Sequence, residues 1–121
     1  MPSYTTLRAW QAAHRLALEI AQVTRRFPRQ ERFELTAQLR RAALSAPANL
    51  AEGQGRFGPR EALRHVRIAA GSLAEVDYLL LFAKDCGYLD AEAYDRLVGF
   101  RRQASYLTYR LARGLEVSAR G

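Results

Sequence analysis

The stretch QLRRAALSAPANLAEGQGR, Gln38 to Arg56, starts as a helical pattern and ends in Gly-x-Gly-Arg. At about 100° per residue it separates into arcs. Leu35, Leu39, Ala42, Ala46 and Leu50 form one apolar arc. Beside it lies a narrow polar stripe of Gln38, Arg41, Ser45, Asn49 and Glu52. Beyond the stripe sit Ala37, Leu44, Ala48 and Ala51. A solvent-facing stripe ordinarily has polar neighbours. Apolar surface on both sides predicts a helix buried twice, against the core and against a second subunit. Arg41 then needs an acid partner, with Glu52 and Glu75 as candidates, since an unpaired buried polar group costs roughly 1–3 kcal/mol. Pro47 removes one amide and crowds the carbonyl of Ala43, so a kink is predicted, with Ser45, Asn49 or water satisfying that carbonyl.

Outward from this stretch, three more segments carry helical periodicity and none shows sustained alternation. The first helix is predicted over about 7–27, where Ala13, Leu16, Ile20, Val23 and Phe27 share a face. Thr5 or Thr6 is its candidate N-cap, and Pro28 marks the joint. The second helix is predicted over about 31–52, ending at Gly53. The third runs over about 60–86, with Pro59 suited to the first turn and Gly87 to a left-handed stop. It carries a second polar stripe of Glu61, His65, Ser72 and Glu75, and Gly71 offers room for close backbone approach. The fourth, capped by Asp90, covers about 91–116 and leaves a frayed tail, 117–121. Short joints make neighbours antiparallel, so residues 1–121 are predicted to form one all-α, up-down-up-down four-helix bundle. The two polar stripes are expected to form one hydrogen-bonded network that fixes register and assembly.

Of the 19 basic residues, 18 are arginine, and the formal net charge is +7. Residues 1–60 hold ten arginines against four acids, and residues 61–121 hold nine basic residues against eight acids. Such a balance favours anionic partners. No apolar run is long enough to span a membrane, and the N-terminus lacks a signal-peptide pattern. Cys86 is the single cysteine, so no intrachain disulfide is possible, and a cytoplasmic protein is expected.

The Gln38–Arg56 segment, together with the Glu61 helix, Gly71-Ser-Leu-Ala-Glu75, Trp10-Gln11, Phe27-Pro28 and Gly87-Tyr-Leu89, resembles a known family. These are the four-helix bundle proteins encoded in intervening sequences of bacterial 23S rRNA genes. The likeness extends over nearly the whole chain. A departure is Thr5-Thr6 before Leu7, where an Asp cap is commoner. The resemblance implies a bundle that associates as a homopentamer. It also implies a relation to the pentameric accessory proteins of diversity-generating retroelements, which work with a reverse transcriptase and RNA.

Catalytic chemistry finds little support. A di-iron bundle needs Glu-x-x-His pairs on two helices, whereas Glu61 and His65 are one residue too far apart and His14 has no matching acid. Cys86 sits at a helix C-terminus, where the dipole disfavours a thiolate. Gly53-Gln-Gly-Arg56 lacks the preceding strand and the lysine of nucleotide loops. No enzyme, cofactor or metal is therefore expected. Nucleic-acid binding is the best candidate. Arg25, Arg26, Arg29 and Arg32 crowd one joint; Arg60, Arg64 and Arg67 form a stripe; Arg102, Tyr106, Tyr109 and Arg113 share one arc of the fourth helix. Arginine neutralises phosphate, and both residue types stack on bases. Gln38, Arg41, Ser45, Pro47, Asn49, Glu52, Gly71, Ser72 and Glu75 are assigned instead to structure and assembly. The reading is a non-enzymatic oligomer that binds structured RNA or a ribonucleoprotein. The alternative is an assembly scaffold with no nucleic-acid role.

Overall fold

Helix α1 (Arg8–Val23) buries Ala9, Ala13, Leu16, Ala17 and Ile20, residues spaced to fall on one face. Helix α2 (Leu35–Gln54) buries Leu35, Leu39, Ala42, Ala43, Ala46 and Leu50. Helix α3 (Pro59–Asp85) contributes Val66, Ala69, Leu73, Val76 and Leu80, and α4 (Ala91–Arg120) contributes Leu97, Ala104 and Thr108. These stripes meet in one core. Burying each large aliphatic side chain contributes about 1.5–3 kcal/mol. The computed structural model describes residues 3–121 and is helical throughout apart from its joints.

Cross-helix contacts fix the topology. Gln38, Ser45 and Asn49 of α2 meet Glu75, Ser72 and His65 of α3, so one number rises as the other falls. Arg101 meets Asp77 and Glu116 meets Arg67 in the same inverted order between α4 and α3. Glu19 of α1 pairs with Arg96 of α4. Each helix packs on two neighbours in a closed square, α1–α2–α3–α4, as the up-down-up-down prediction requires.

The helix limits differ from the sequence expectation in four places. The first helix stops at Val23 and passes into a 3₁₀ turn, Thr24–Arg26. The cause is a tie to α2: Arg40 donates from Nε to Thr24 Oγ1 (2.7 Å) and from Nη2 to the Ala21 carbonyl (2.9 Å). That guanidinium satisfies acceptors that a helix end leaves open. Neither Thr5 nor Thr6 caps α1; Leu7 occupies the cap position, and Ser3 caps a preceding 3₁₀ turn instead. The second helix starts at Leu35, not near Glu31, because Arg29–Glu31 form a separate 3₁₀ turn after Pro28. At its far end α2 continues through a buried Gly53 to Gln54. The tail expected to fray, 117–121, is helical as far as Arg120; just before it, Glu116 stands between Arg67 and Arg113 at 3.7 and 3.6 Å.

Other local signals match. Asp90 accepts from the Ala93 amide at 2.8 Å, Pro59 opens α3, and Gly87 takes φ +83°. Helix α2 remains α-helical through Pro47. Asn49 gives its amide to the Ser45 carbonyl (2.9 Å), not to that of Ala43.

Thr108 is fully buried and its hydroxyl has no hydrogen-bond partner. Thr108→Val keeps the shape and removes the unpaired group. It is expected to raise the unfolding free energy by about 1 kcal/mol, read from the urea midpoint. A lower midpoint would show that the hydroxyl is satisfied in solution.

Candidate nucleic-acid interface

The two polar stripes meet along the α2–α3 seam. Ser72 donates to Ser45 Oγ at 2.8 Å, and Asn49 Nδ2 reaches Ser45 Oγ at 3.2 Å. Asn49 Oδ1 can only accept, so the 3.2 Å contact to His65 makes the histidine Nδ1 the donor. Gln38 donates to Glu75 at 3.3 Å. His65 is buried, so this chain of bonds orients a polar side chain inside the bundle.

Arg41 is not tied into that chain. It and Glu75 are both exposed. Glu52 pairs with Arg56 one turn on, and Glu75 takes the Gln38 amide. The expected Arg41–carboxylate bond is therefore absent among the described residues. Arg41 instead edges a shallow groove with Gln38, Ser45, Ser72 and Glu75. The network is a short internal seam of Ser45, Asn49, His65 and Ser72 with an outer Gln38–Glu75 pair. Gly71 also differs from expectation: a Cβ there would meet nothing within 4 Å. The close approach falls at Gly53, where a Cβ would lie 3.2 Å from the Ala62 carbonyl and from His65 Cβ.

Beside the seam, α2 and α3 expose Leu44 (62%), Ile68, Tyr78, Leu81 and Phe82. Ala48, Ala70, Gly71 and Ala74 lie exposed on the same two helices. The apolar arc that the sequence assigned to a second subunit is thus uncovered in the single chain.

The sequence-predicted arginines do not form one patch. Arg25, Arg26, Arg29 and Arg32 lie where α1 hands over to α2. Arg60, Arg64 and Arg67 lie at the opposite end, on the first turns of α3. Arg102, Tyr106, Tyr109 and Arg113 follow the exposed outer side of α4 toward that same end. Cutting each helix at its midpoint shows how charge divides. The half built from residues 3–15, 45–72 and 106–121 holds nine arginines against three acids. The half built from residues 16–44 and 73–105 holds ten basic residues against nine acids. Antiparallel folding has made one end of the bundle strongly basic. Arg110 and Arg120 belong to that end and were not singled out from the sequence, since only the fold gathers them; Arg56, weighed there only as part of a phosphate loop, joins them.

Several basic residues are already engaged. Arg64 lies 3.7 Å from Glu61, and Arg67 and Arg113 share Glu116. These pairs are exposed and exchange readily for phosphate, because such pairs are worth about 0–1 kcal/mol. At the other end Tyr88 donates to Glu31 at 2.9 Å, and that bond, with some burial and the nearby negative charge, raises the phenol above its ordinary value. Among the described residues no group of three His, Cys, Asp or Glu side chains converges as metal ligands. No helix is long and apolar enough to cross a membrane.

A square helical bundle with a polar seam, an uncovered apolar face and one basic end defines a class of small all-α proteins. The sequence matches the 23S rRNA-intervening sequence protein family over residues 5–107, and the chain belongs to that family. No curated protein matches it. A crystal structure of a protein of unknown function from the S23 ribosomal protein family of Bacteroides thetaiotaomicron is similar to it, with a TM-score of 0.80. The identity is 18%, over 86% of this chain and 97% of that one. At that identity the likeness concerns the fold.

The Gly53 approach has a measurable consequence. Replacing a glycine within a helix by alanine ordinarily gains up to about 1 kcal/mol, less near its end as here. Here the added methyl meets α3 backbone, and overpacking of this kind costs about 1–3 kcal/mol. Gly53→Ala is therefore expected to lower the thermal midpoint, and a raised midpoint would contradict the close packing of α2 on α3.

Proposed function

We propose that the protein is a non-enzymatic, self-assembling cytoplasmic bundle that binds structured RNA or a ribonucleoprotein through its arginine-rich surfaces. The observation that carries this reading is the charge division, with nine arginines facing three acids in one half of the molecule. Arginine forks match phosphate oxygens bidentately, and a concentrated positive field steers polyanions. Arg60, Arg64, Arg67 and Arg113 sit in that half with exposed side chains. Arg25, Arg26, Arg29 and Arg32 are also exposed but share their half with nine acids, which makes them the secondary contact.

Self-association is supported by the uncovered α2–α3 face. Leu44, Ile68, Tyr78, Leu81 and Phe82 leave apolar area in water that a second copy can cover, and the exposed alanines admit close helix contact. The homopentamer implied by the family resemblance is the assembly we propose. A ring would repeat each basic end about one axis, turning a modest charge per chain into a collective field.

Phosphate contacts release counterions, so affinity must fall steeply with salt. For a labelled structured rRNA fragment, the plot of log affinity against log salt is expected to slope by roughly −0.7 to −0.9 per phosphate contact. Arg60→Ala with Arg113→Ala should flatten it by about 1 per arginine. No binding at low salt removes the RNA reading and leaves the scaffold. For assembly, Leu44→Glu with Phe82→Glu is expected to reduce the light-scattering mass to that of one chain while the helical circular dichroism persists. An unchanged mass would place the subunit contact elsewhere.

A further inference from the structure

The connection between α2 and α3 is Gly55-Arg56-Phe57-Gly58, and it carries a feature the rest of the fold does not explain. Phe57 is 94% exposed, the most exposed of the large apolar side chains. It makes no aromatic pair among the described residues. A single exposed hydrophobe is ordinary; its setting is what carries meaning.

The loop is held at both ends. The Gly55 and Arg56 amides donate to the Glu52 and Gly53 carbonyls, each at 3.2 Å. Gly58 takes φ +85°, a conformation that side chains disfavour, and Pro59 then fixes the first turn of α3. The Gly58 carbonyl accepts from the Ala62 amide at 3.3 Å. The ring is thus presented on a short, anchored tip, so little entropy is lost when something binds it. Arginines stand on both sides. Arg56 is held by an exposed i,i+4 pair with Glu52, and Arg60 has no ion-pair partner among the described residues. The tip lies at the basic end of the bundle, at the opposite pole from the Tyr78–Phe82 part of the apolar face.

We propose that this tip is a nucleotide-reading finger: Phe57 stacks on an unpaired base of RNA, and Arg56 and Arg60 hold the phosphates on either side of it. The proposal rests on the RNA-binding reading above and specifies what that RNA must offer. An aromatic face stacks on any base that has left a helix, and flanking cations follow the backbone. A paired base inside an A-form duplex has no free face for the ring. A protein pocket is the less fitting occupant, because this half of the bundle holds nine arginines against three acids, a field that favours a polyanion.

The test uses the full-length protein with two fluorescein-labelled RNAs at one fixed salt concentration. One is a stem with an unpaired loop; the other is a blunt duplex of equal phosphate number. Wild-type protein is expected to favour the looped RNA. Phe57→Ala should weaken looped-RNA binding on the order of tenfold and leave duplex binding unchanged. Phe57→Trp should restore the preference, whereas Phe57→Leu, apolar but unable to stack through a π-face, should behave like the alanine variant. Equal binding of looped RNA by wild type and Phe57→Ala would overturn the finger while leaving the RNA reading intact. Absence of binding to either RNA would end both. A change in light-scattering mass for Phe57→Ala, with RNA binding preserved, would overturn the proposal in favour of a protein contact.

Discussion

The distance between α2 and α3 constrains everything else in this bundle. At Gly53 the two helices are so close that a methyl group would sit 3.2 Å from α3 atoms. That approach brings Asn49 within reach of His65 and Ser45 within reach of Ser72. The polar seam is thus a product of close packing, and it sharpens the packing in turn. Shifting α2 along α3 by one turn would leave the buried histidine and two serines without partners. Each buried polar group so stranded costs roughly 1–3 kcal/mol, a large share of a small domain's stability. Register between these helices is fixed by polar satisfaction, while the aliphatic core supplies most of the driving force.

The tie at the other end has the same logic. Arg40 could have been another surface arginine. It turns inward, donates to the Ala21 carbonyl and to Thr24, and sets where that helix stops. One side chain from α2 thereby fixes both the length of α1 and its height beside α2. The joint that follows, from Thr24 to Glu34, is left with exposed arginines and a separate 3₁₀ turn.

Much of this was legible beforehand, and the reasons are specific. Ala13, Leu16 and Ile20 on α1 and Leu35, Leu39 and Leu50 on α2 recur at helical spacing, which identified those helices and their core faces without any tertiary information. Asp90, Pro59 and Gly87 act within one turn of themselves and were readable for that reason. What failed depended on distant partners. Arg41 was expected to find an acid because its stripe looked buried, but the stripe splits: Ser45 and Asn49 are half-buried in the seam, and Arg41 stays exposed at its rim. Gly71 and Gly53 exchanged roles because sequence distinguishes neither glycine's neighbours. The α4 helix runs to Arg120, past the limit of about 116 read from the sequence, where no local signal marks a stop. The nucleic-acid residues were found as residue types, not as one surface.

Charge makes the last point about folding. Along the chain, the basic excess belongs to the first sixty residues, where ten arginines face four acids. In space it belongs to one end of the bundle, and the arginines responsible are mostly different ones. Antiparallel connection explains the change. Each helix carries its two halves to opposite poles, and the antiparallel turns bring the start of α1, the α2–α3 loop and the last turns of α4 together. Arg8, Arg60 and Arg120 are far apart in sequence and fall at one pole. Fields from charges within about a Debye length of 8–10 Å add, so such a pole would favour a polyanion under the proposed reading. Arg110, Arg113 and Arg120 on the last turns of α4 therefore stand at the pole where the α2–α3 loop and its exposed phenylalanine also stand.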